Sequence, residues 1–209
     1  MIHNLVMDMG NVLIRFDPEE ILTRIGITEE ADRQLMLREI FHAPEWAQMD
    51  WGNLTEADTE AAVRARIPER LHEAAHRAIF GWDQVMDPIP GMAGLVQDCK
   101  RAGLRIYLLS NASFRQPEYW PHIPGSELFD GTVISAFEHC VKPSPEIYRR
   151  LLERFQLKPE ECLFVDDMEV NVAGAAAVGM QGFRFDGDTI LLRRRIQLLR
   201  IHTGRGTEA

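Results

Sequence analysis

Cysteine is scarce: Cys99, Cys140 and Cys162 are the three in 209 residues. They are widely spaced and include no Cys-x-x-Cys pair, which excludes a disulfide frame or a zinc knuckle and reads as reduced, mostly buried thiols. Basic residues are also outnumbered. Lys and Arg total 23 against 32 Asp and Glu, a net charge of −9, so the surface repels polyanions and nucleic acid is not an expected partner. No apolar run approaches the roughly 20 residues of a membrane helix, and no basic flank leads into an apolar stretch at the N-terminus. No membrane partner is expected, and the expected compartment is cytoplasmic. Apolar residues make up 45% and charged residues 26%, the mix of a globular chain with a sizeable core. The length suits one domain with an insert, as a monomer or homodimer.

Short apolar runs alternate with helical stretches, the pattern of a parallel sheet covered by helices. The runs are Leu5-Val6-Met7, Leu104 to Leu109, Thr132 to Ser135, Cys162 to Val165 and Gly182 to Phe185. Each is apolar at successive positions, as strands buried on both faces are. Between the first and second runs the punctuation is helical. Asp17-Pro18-Glu19-Glu20 supplies an N-cap, a first-turn proline and two acids, and Gly26 can close that helix. Thr28-Glu29-Glu30 opens the next, Pro44 a short third, Thr55-Glu56-Ala57-Asp58 resembles a capping box, and Pro68-Glu69 begins a further helix. These signals divide the chain into an α/β doubly wound core, residues 1–15 and 87–209, and an inserted helical unit, residues 16–86. Pro88, Pro90 and Gly91 mark the return linker. The tail from Asp188 to Ala209 reads as a last helix with a polar end, its Arg193-Arg194-Arg195 run forming a solvated face.

In open parallel sheets ligands bind outside the carboxyl ends of the strands. Asp8 follows the first run, Ser110-Asn111 the second, Lys142 lies in the loop after the third, and Asp166-Asp167 follows the fourth. Taken singly, each is an ordinary cap, turn or loop residue. Together they bring three acids, a hydroxyl and an amine to one edge. Three carboxylates about 4 Å apart repel by about 4 kcal/mol per pair at an effective dielectric near 20. A divalent cation offsets this, and an all-oxygen carboxylate set points to Mg²⁺. Such a cation beside Lys142 and Ser110 makes a pocket for a phosphoryl group. A central carboxylate can then attack phosphorus, splitting one hard hydrolysis into two easier steps.

Four segments carry a resemblance: Asp8-Met9-Gly10-Asn11-Val12, Ser110-Asn111, Lys142-Pro143-Ser144-Pro145-Glu146-Ile147-Tyr148, and Val165-Asp166-Asp167-Met168-Glu169-Val170-Asn171. In this order they resemble the four motifs of the haloacid dehalogenase (HAD) superfamily, and the helical insert resembles its C1 cap. The resemblance runs from Met1 to about Phe185. Within the superfamily the motifs are similar to those of bacterial sugar-phosphate phosphatases, those acting on α-D-glucose 1-phosphate among them. The resemblance implies a HAD-like, Rossmann-like fold and a Mg²⁺-dependent phosphatase acting on a small phosphorylated metabolite. Asp8 would be nucleophile and metal ligand, the Gly10 carbonyl a second ligand, and Asp167 a direct ligand with Asp166 assisting. Ser110 and the Asn111 N–H would hold phosphate oxygens, Lys142 would bridge Asp8 and the phosphate, and Asn171 would support the metal ligands.

One departure stands out. Most phosphatases of this superfamily carry a second Asp two residues after the nucleophile as general acid and base, and here that position is Gly10. General acid–base help is typically worth about 10²–10⁴ in rate. Its loss leaves a role for another group, for water, or for a good leaving group such as the anomeric oxygen of a sugar 1-phosphate. It also leaves open a HAD-fold binding or regulatory protein with little catalysis. A 2-haloacid dehalogenase, which attacks carbon without a metal, fits the paired acids less well.

Two further patterns stand apart from these motifs. His72-Glu73-Ala74-Ala75-His76 matches the zinc-protease pattern, but Arg77 follows and no third ligand is evident, so it reads as part of a helix with Leu71, Ala75 and Ile79 on one face. In the insert, Trp46, Met49 and Trp51 read as bundle core with a cleft wall as the alternative. His42, Glu45 and Asp50 are candidate sugar contacts, and Phe114, Tyr119 and Trp120, following Ser110-Asn111, are candidates for the active-site rim or for packing under the loop.

Overall fold

The computed structural model describes residues 1–201. Five strands form one all-parallel sheet in the order β3-β2-β1-β4-β5. They are β1 (Asn4–Met7), β2 (Arg105–Ser110), β3 (Gly131–Ile134), β4 (Cys162–Asp166) and β5 (Gln181–Arg184). Each of the five apolar runs is therefore a strand, with ends that move by at most one residue: Leu104 precedes β2, Ser135 leaves β3 and begins a helix, and Phe185 follows β5.

β1 and β4 are buried along their whole length, because both faces of the sheet are covered. Alternate side chains feed two cores. Leu5, Met7, Ile106, Leu108, Leu163 and Val165 face one, while Val6, Tyr107, Leu109 and Phe164 face the other, as the two-residue period of a strand requires. Truncating a fully buried ring such as Phe164 costs roughly 3–5 kcal/mol.

The region between β1 and β2 is helical: α1 (Pro18–Arg24), α2 (Glu30–Met36), α3 (Pro44–Asp50), α4 (Glu56–Arg64), α5 (His72–Phe80) and α6 (Met92–Arg101). Asp17 caps α1 through the N–H groups of Glu19 and Glu20, and the reciprocal Thr55–Asp58 capping box opens α4. α2 starts one residue late, at Glu30, with no side-chain cap. After Pro68 a single 3₁₀ turn, Glu69–Leu71, precedes α5. The outgoing and returning segments run side by side: Arg15 N–H donates to Asp87 O at 2.8 Å, and Ile89 N–H to Leu13 O at 2.8 Å.

Beyond β2 come α7 (Gln116–Tyr119), α8 (Ser135–Glu138), α9 (Pro145–Arg154), α10 (Glu169–Ala177) and α11 (Thr189–Ile201). α9 and α10 bury Ile147, Tyr148, Leu151 and Ala175 against one sheet face. α6 and α11 bury Met92, Leu95, Val96, Leu192 and Ile196 against the other. Asp188 caps α11, and Arg193 pairs with Asp98 of α6. One guanidinium of the arginine run is thus a tie between helices. The expected polar end beyond residue 201 lies outside the described residues. All three cysteines are free and buried.

Candidate active site

The strand order places the chain reversal between β1 and β4, so their carboxyl ends flank the crevice where a ligand binds in such sheets. Asp8 stands at the end of β1 and Asp166 at the end of β4. The Lys142 Nζ lies 2.7 Å from Asp8 Oδ1 and 2.7 Å from Asp166 Oδ2. Burial alone would push this ammonium's pKa down, but the two carboxylates outweigh that and hold it above the usual range. Asp8 moves the other way from an ordinary acid. Burial raises it, Lys142 opposes, Asp166 adds to the rise, and the result is about 6.

Asp166 is engaged on both oxygens. Oδ1 accepts from Met168 N–H at 2.8 Å and from Asn171 Nδ2 at 3.0 Å, and Oδ2 accepts from Lys142 and again from Asn171 at 3.1 Å. Asn171 thus grips Asp166, one helical turn along α10. Asp167 is partly exposed and accepts from Asn11 Nδ2 at 3.1 Å. Asn11 belongs to the first motif, and the structure gives it a task. It adopts the left-handed conformation (φ 53°) that Asn tolerates, and its Oδ1 accepts from Phe16 N–H at 3.0 Å. The Asn that follows Gly10 was the signal for this tie.

Asp8, Asp166 and Asp167 each offer a carboxylate oxygen, all within 4.8 Å of one another. Lys142 pairs with Asp8 and Asp166, and Asp167 meets only the neutral amide of Asn11, so the three acids and one ammonium leave an excess of two negative charges. The all-oxygen donor set and that excess fit a hard divalent cation.

Ser110 is buried at the end of β2 and lines the same cavity as Lys142. The Asn111 side chain clamps the loop that carries Lys142: its Oδ1 accepts from Lys142 N–H at 2.8 Å, and its Nδ2 donates to Lys142 O at 3.2 Å. Gly10 also lines the cavity. Its backbone is outside the left-handed region, and a Cβ there would meet only Phe16 Cβ, at 3.8 Å.

The cavity measures about 260 Å³. Opposite the strand ends its wall is Phe16, Trp46, Met49, Ile79, Trp82 and Tyr119, with two carboxyls, Asp50 and Glu56. Trp46 packs on Phe16 and Phe41 and Met49 is buried, so both serve core and wall together. Trp51 is 39% exposed and does not line the cavity. Of the three polar candidates in the insert, Asp50 faces the cavity. His42 is exposed, and Glu45 is held by Arg66 at 2.6 Å. Phe114 packs on Phe137 and Trp120 on Phe129, leaving Tyr119 at the cavity.

A larger groove of about 400 Å³ lies between α6 and α11, by Met1 and Leu104 at the amino ends of β1 and β2 and away from the carboxyl ends. Its Asp98 and Arg193 neutralise each other, and no cluster of acids or nucleophiles converges there. The histidines of α5 are engaged locally: His72 Nε2 is 3.1 Å from Arg64 O, and His76 Nδ1 is 3.1 Å from Glu60 Oε1.

Comparison with known proteins follows the same lines. The haloacid dehalogenase-like hydrolase family matches residues 2–179. A sesquiterpene phosphatase of Aspergillus oryzae is 29% identical over 186 residues, covering 85% of this chain and 86% of that protein. A HAD family enzyme of Bacteroides thetaiotaomicron, solved with magnesium and inorganic phosphate, superposes with a TM-score of 0.70 at 22% identity, covering 92% of this chain and 99% of that one. The L-2-haloacid dehalogenase of Xanthobacter autotrophicus superposes with a TM-score of 0.64 at 20% identity, covering 95% and 83%. At those identities the two structures show the fold. The chain belongs to the haloacid dehalogenase-like hydrolase family.

Proposed function

We propose that this hydrolase is a Mg²⁺-dependent phosphatase that cleaves a small phosphorylated metabolite through an aspartyl-phosphate on Asp8. The observation that carries the reading is the gathering of Asp8, Asp166 and Asp167, the first two of which share the ammonium of Lys142. Displacement of halide from carbon needs no such excess of acid. Phosphoryl transfer needs a cation on the phosphate oxygens, and these acids create the place for one. The phosphatase and the magnesium- and phosphate-bound enzyme among its relatives support the same choice.

Asp8, the Gly10 carbonyl and Asp167 would hold the ion, with Asp166, already engaged by Lys142 and Asn171, orienting the set. Bound there, Mg²⁺ would supply charge neutralisation for the phosphoryl oxygens. Asp8, kept close to Lys142, is the attacking carboxylate. Ser110 Oγ and the Asn111 N–H donate to phosphate oxygens, while Lys142 offsets their charge. The helical insert, residues 16–86, acts as a cap that excludes bulk water. The apolar wall favours a substrate that presents hydrocarbon to Trp46, Met49, Ile79 and Trp82 over an open polyol.

Turnover of p-nitrophenyl phosphate with Mg²⁺ tests the reading. Asp8→Asn is expected to abolish it, by about 10⁴-fold or more. A chain that binds phosphate and Mg²⁺ yet turns over nothing in a panel of sugar, alkyl and prenyl phosphates would instead be a binding or regulatory module. Rapid-quench trapping of ³²P on the wild type and its absence from Asp8→Asn would locate the intermediate.

A further inference from the structure

Cleaving an alkyl phosphate ester requires a proton on the departing oxygen, and Gly10 has no side chain to supply one. Across the cavity from Asp8 stand two carboxyls, and they differ. Glu56 is buried and accepts a hydrogen bond from Ser113 Oγ. The Asp50 carboxyl, among the described residues, has neither a hydrogen bond nor an ion pair, and it opens into the cavity that Asp8, Ser110 and Lys142 line.

Its position is fixed by the backbone around it. Ser135 Oγ, at the start of α8, donates to Asp50 O at 2.6 Å. Two residues on, Gly52 (φ 71°) lies so close to α8 that a Cβ there would stand 2.2 Å from Ala136 O. The end of α3 is thereby fastened to the rim of the sheet just beyond β3, holding residue 50 opposite the end of β1. Burial first, then the charge of Asp8, push the Asp50 carboxyl up to about 7; Lys142 pulls against them and Glu56 adds to the rise. Tyr119 faces the same group, its phenol raised by burial and then by Asp50. A carboxyl in that range holds and releases a proton near neutral pH.

We propose that Asp50 is the general acid and base of this site, delivered by the helical insert in place of a side chain at position 10. The proposal rests on the aspartyl-phosphate reading. In the first step Asp8 Oδ forms a bond to phosphorus, the ester P–O bond breaks, and the Asp50 proton passes to the departing oxygen, releasing an alcohol. In the second, water attacks phosphorus and gives one proton to the Asp50 carboxylate. The bond from phosphorus to Asp8 then breaks, and hydrogen phosphate leaves with both carboxyls restored.

The test compares a substrate that needs the proton with one that does not. Butyl phosphate departs as a strongly basic alkoxide unless protonated, whereas p-nitrophenolate departs unaided. With the full chain and Mg²⁺, Asp50→Asn is expected to lose on the order of 10²-fold or more in kcat on butyl phosphate. Its burst of p-nitrophenolate should stay within a few-fold of wild type, and the trapped phosphoenzyme should outlive the wild type's. Asp50→Glu should recover part of the butyl phosphate rate. Equal losses on both substrates, or no loss on butyl phosphate, would overturn the assignment while leaving Asp8 as nucleophile. A leaving-group-selective loss in Glu56→Gln instead of Asp50→Asn would overturn it in favour of Glu56. The wild type gives an independent reading should the variant not fold: rates across a series of esters should depend weakly on leaving-group basicity, and a steep dependence would overturn the proposal. A wild type that forms no phosphoenzyme would remove the phosphatase reading itself.

Discussion

Among the described residues, every charged side chain on the strand side of the cavity has a partner, and on the insert side one carboxyl has none. Lys142 holds Asp8 and Asp166 at 2.7 Å each, and Asn171 and Asn11 donate to oxygens of Asp166 and Asp167. The opposite wall is mostly aromatic and aliphatic, with Glu56 bonded to Ser113 and, among the described residues, Asp50 unpaired. One wall is organised to keep charge in place, the other to make charge uncomfortable. The proposed substrate, a phosphate ester with a hydrocarbon part, would have the same two halves.

Breaking the paired wall should have the largest effect. Lys142→Met leaves Asp8 and Asp166 buried without their cation, and in metal-free protein at pH 8 it is expected to destabilise folding by about 3–5 kcal/mol. Urea unfolding measures this, and added Mg²⁺ should recover part of it. The unpaired wall should respond with the opposite sign. Folding raises the Asp50 carboxyl from near 4 to about 7, so the folded state binds its proton more tightly than the unfolded chain. Ionising Asp50 therefore costs stability progressively from about pH 4 upward, fully above pH 7. In metal-free protein Asp50→Asn should match wild type near pH 4 and exceed it by about 2–4 kcal/mol at pH 8. A stabilising effect in the variant that loses activity would mark Asp50 as a functional strain.

A smaller effect is expected from moving the acid to the other wall. Gly10 has room and a permissive backbone for a side chain. Gly10→Asp placed in the Asp50→Asn background should restore on the order of 10² in butyl phosphate turnover, and an unchanged rate would mean position 10 does not reach the departing oxygen. The mildest is Asn171→Ala, expected to cost about 1–3 kcal/mol as Asp166 loses its two amide contacts, read as a lowered Tm.

The sequence and the structure agree best where local rules decide. Asp8, Ser110 and Asp166 each end an apolar run, and a parallel sheet brings such ends together whatever lies between them. Lys142 follows with its loop, because Asn111 clamps it from the neighbouring strand end. The strand positions and the capping signals of α1 and α4 are equally local. The insert side is decided by contacts between distant segments. His42, Glu45 and Asp50 looked alike in sequence; Arg66 claims Glu45, and the Ser135–Asp50 bond across 85 positions fixes which of the others meets the cavity. Trp46, Met49 and Trp51 form one sequence cluster, but α3 ends at Asp50 and Trp51 falls outside the wall. No periodicity in residues 44–51 contains the docking of that helix against Ala136.

Trp46, Met49 and Asp50 ride on a single helix of seven residues, Pro44–Asp50. A tilt or a quarter-turn of that segment would reshape the hydrocarbon surface and displace the carboxyl in the same movement. Grafting a new specificity into this scaffold therefore means exchanging the whole segment, together with the Ser135 and Gly52 contacts that seat it, as one cassette.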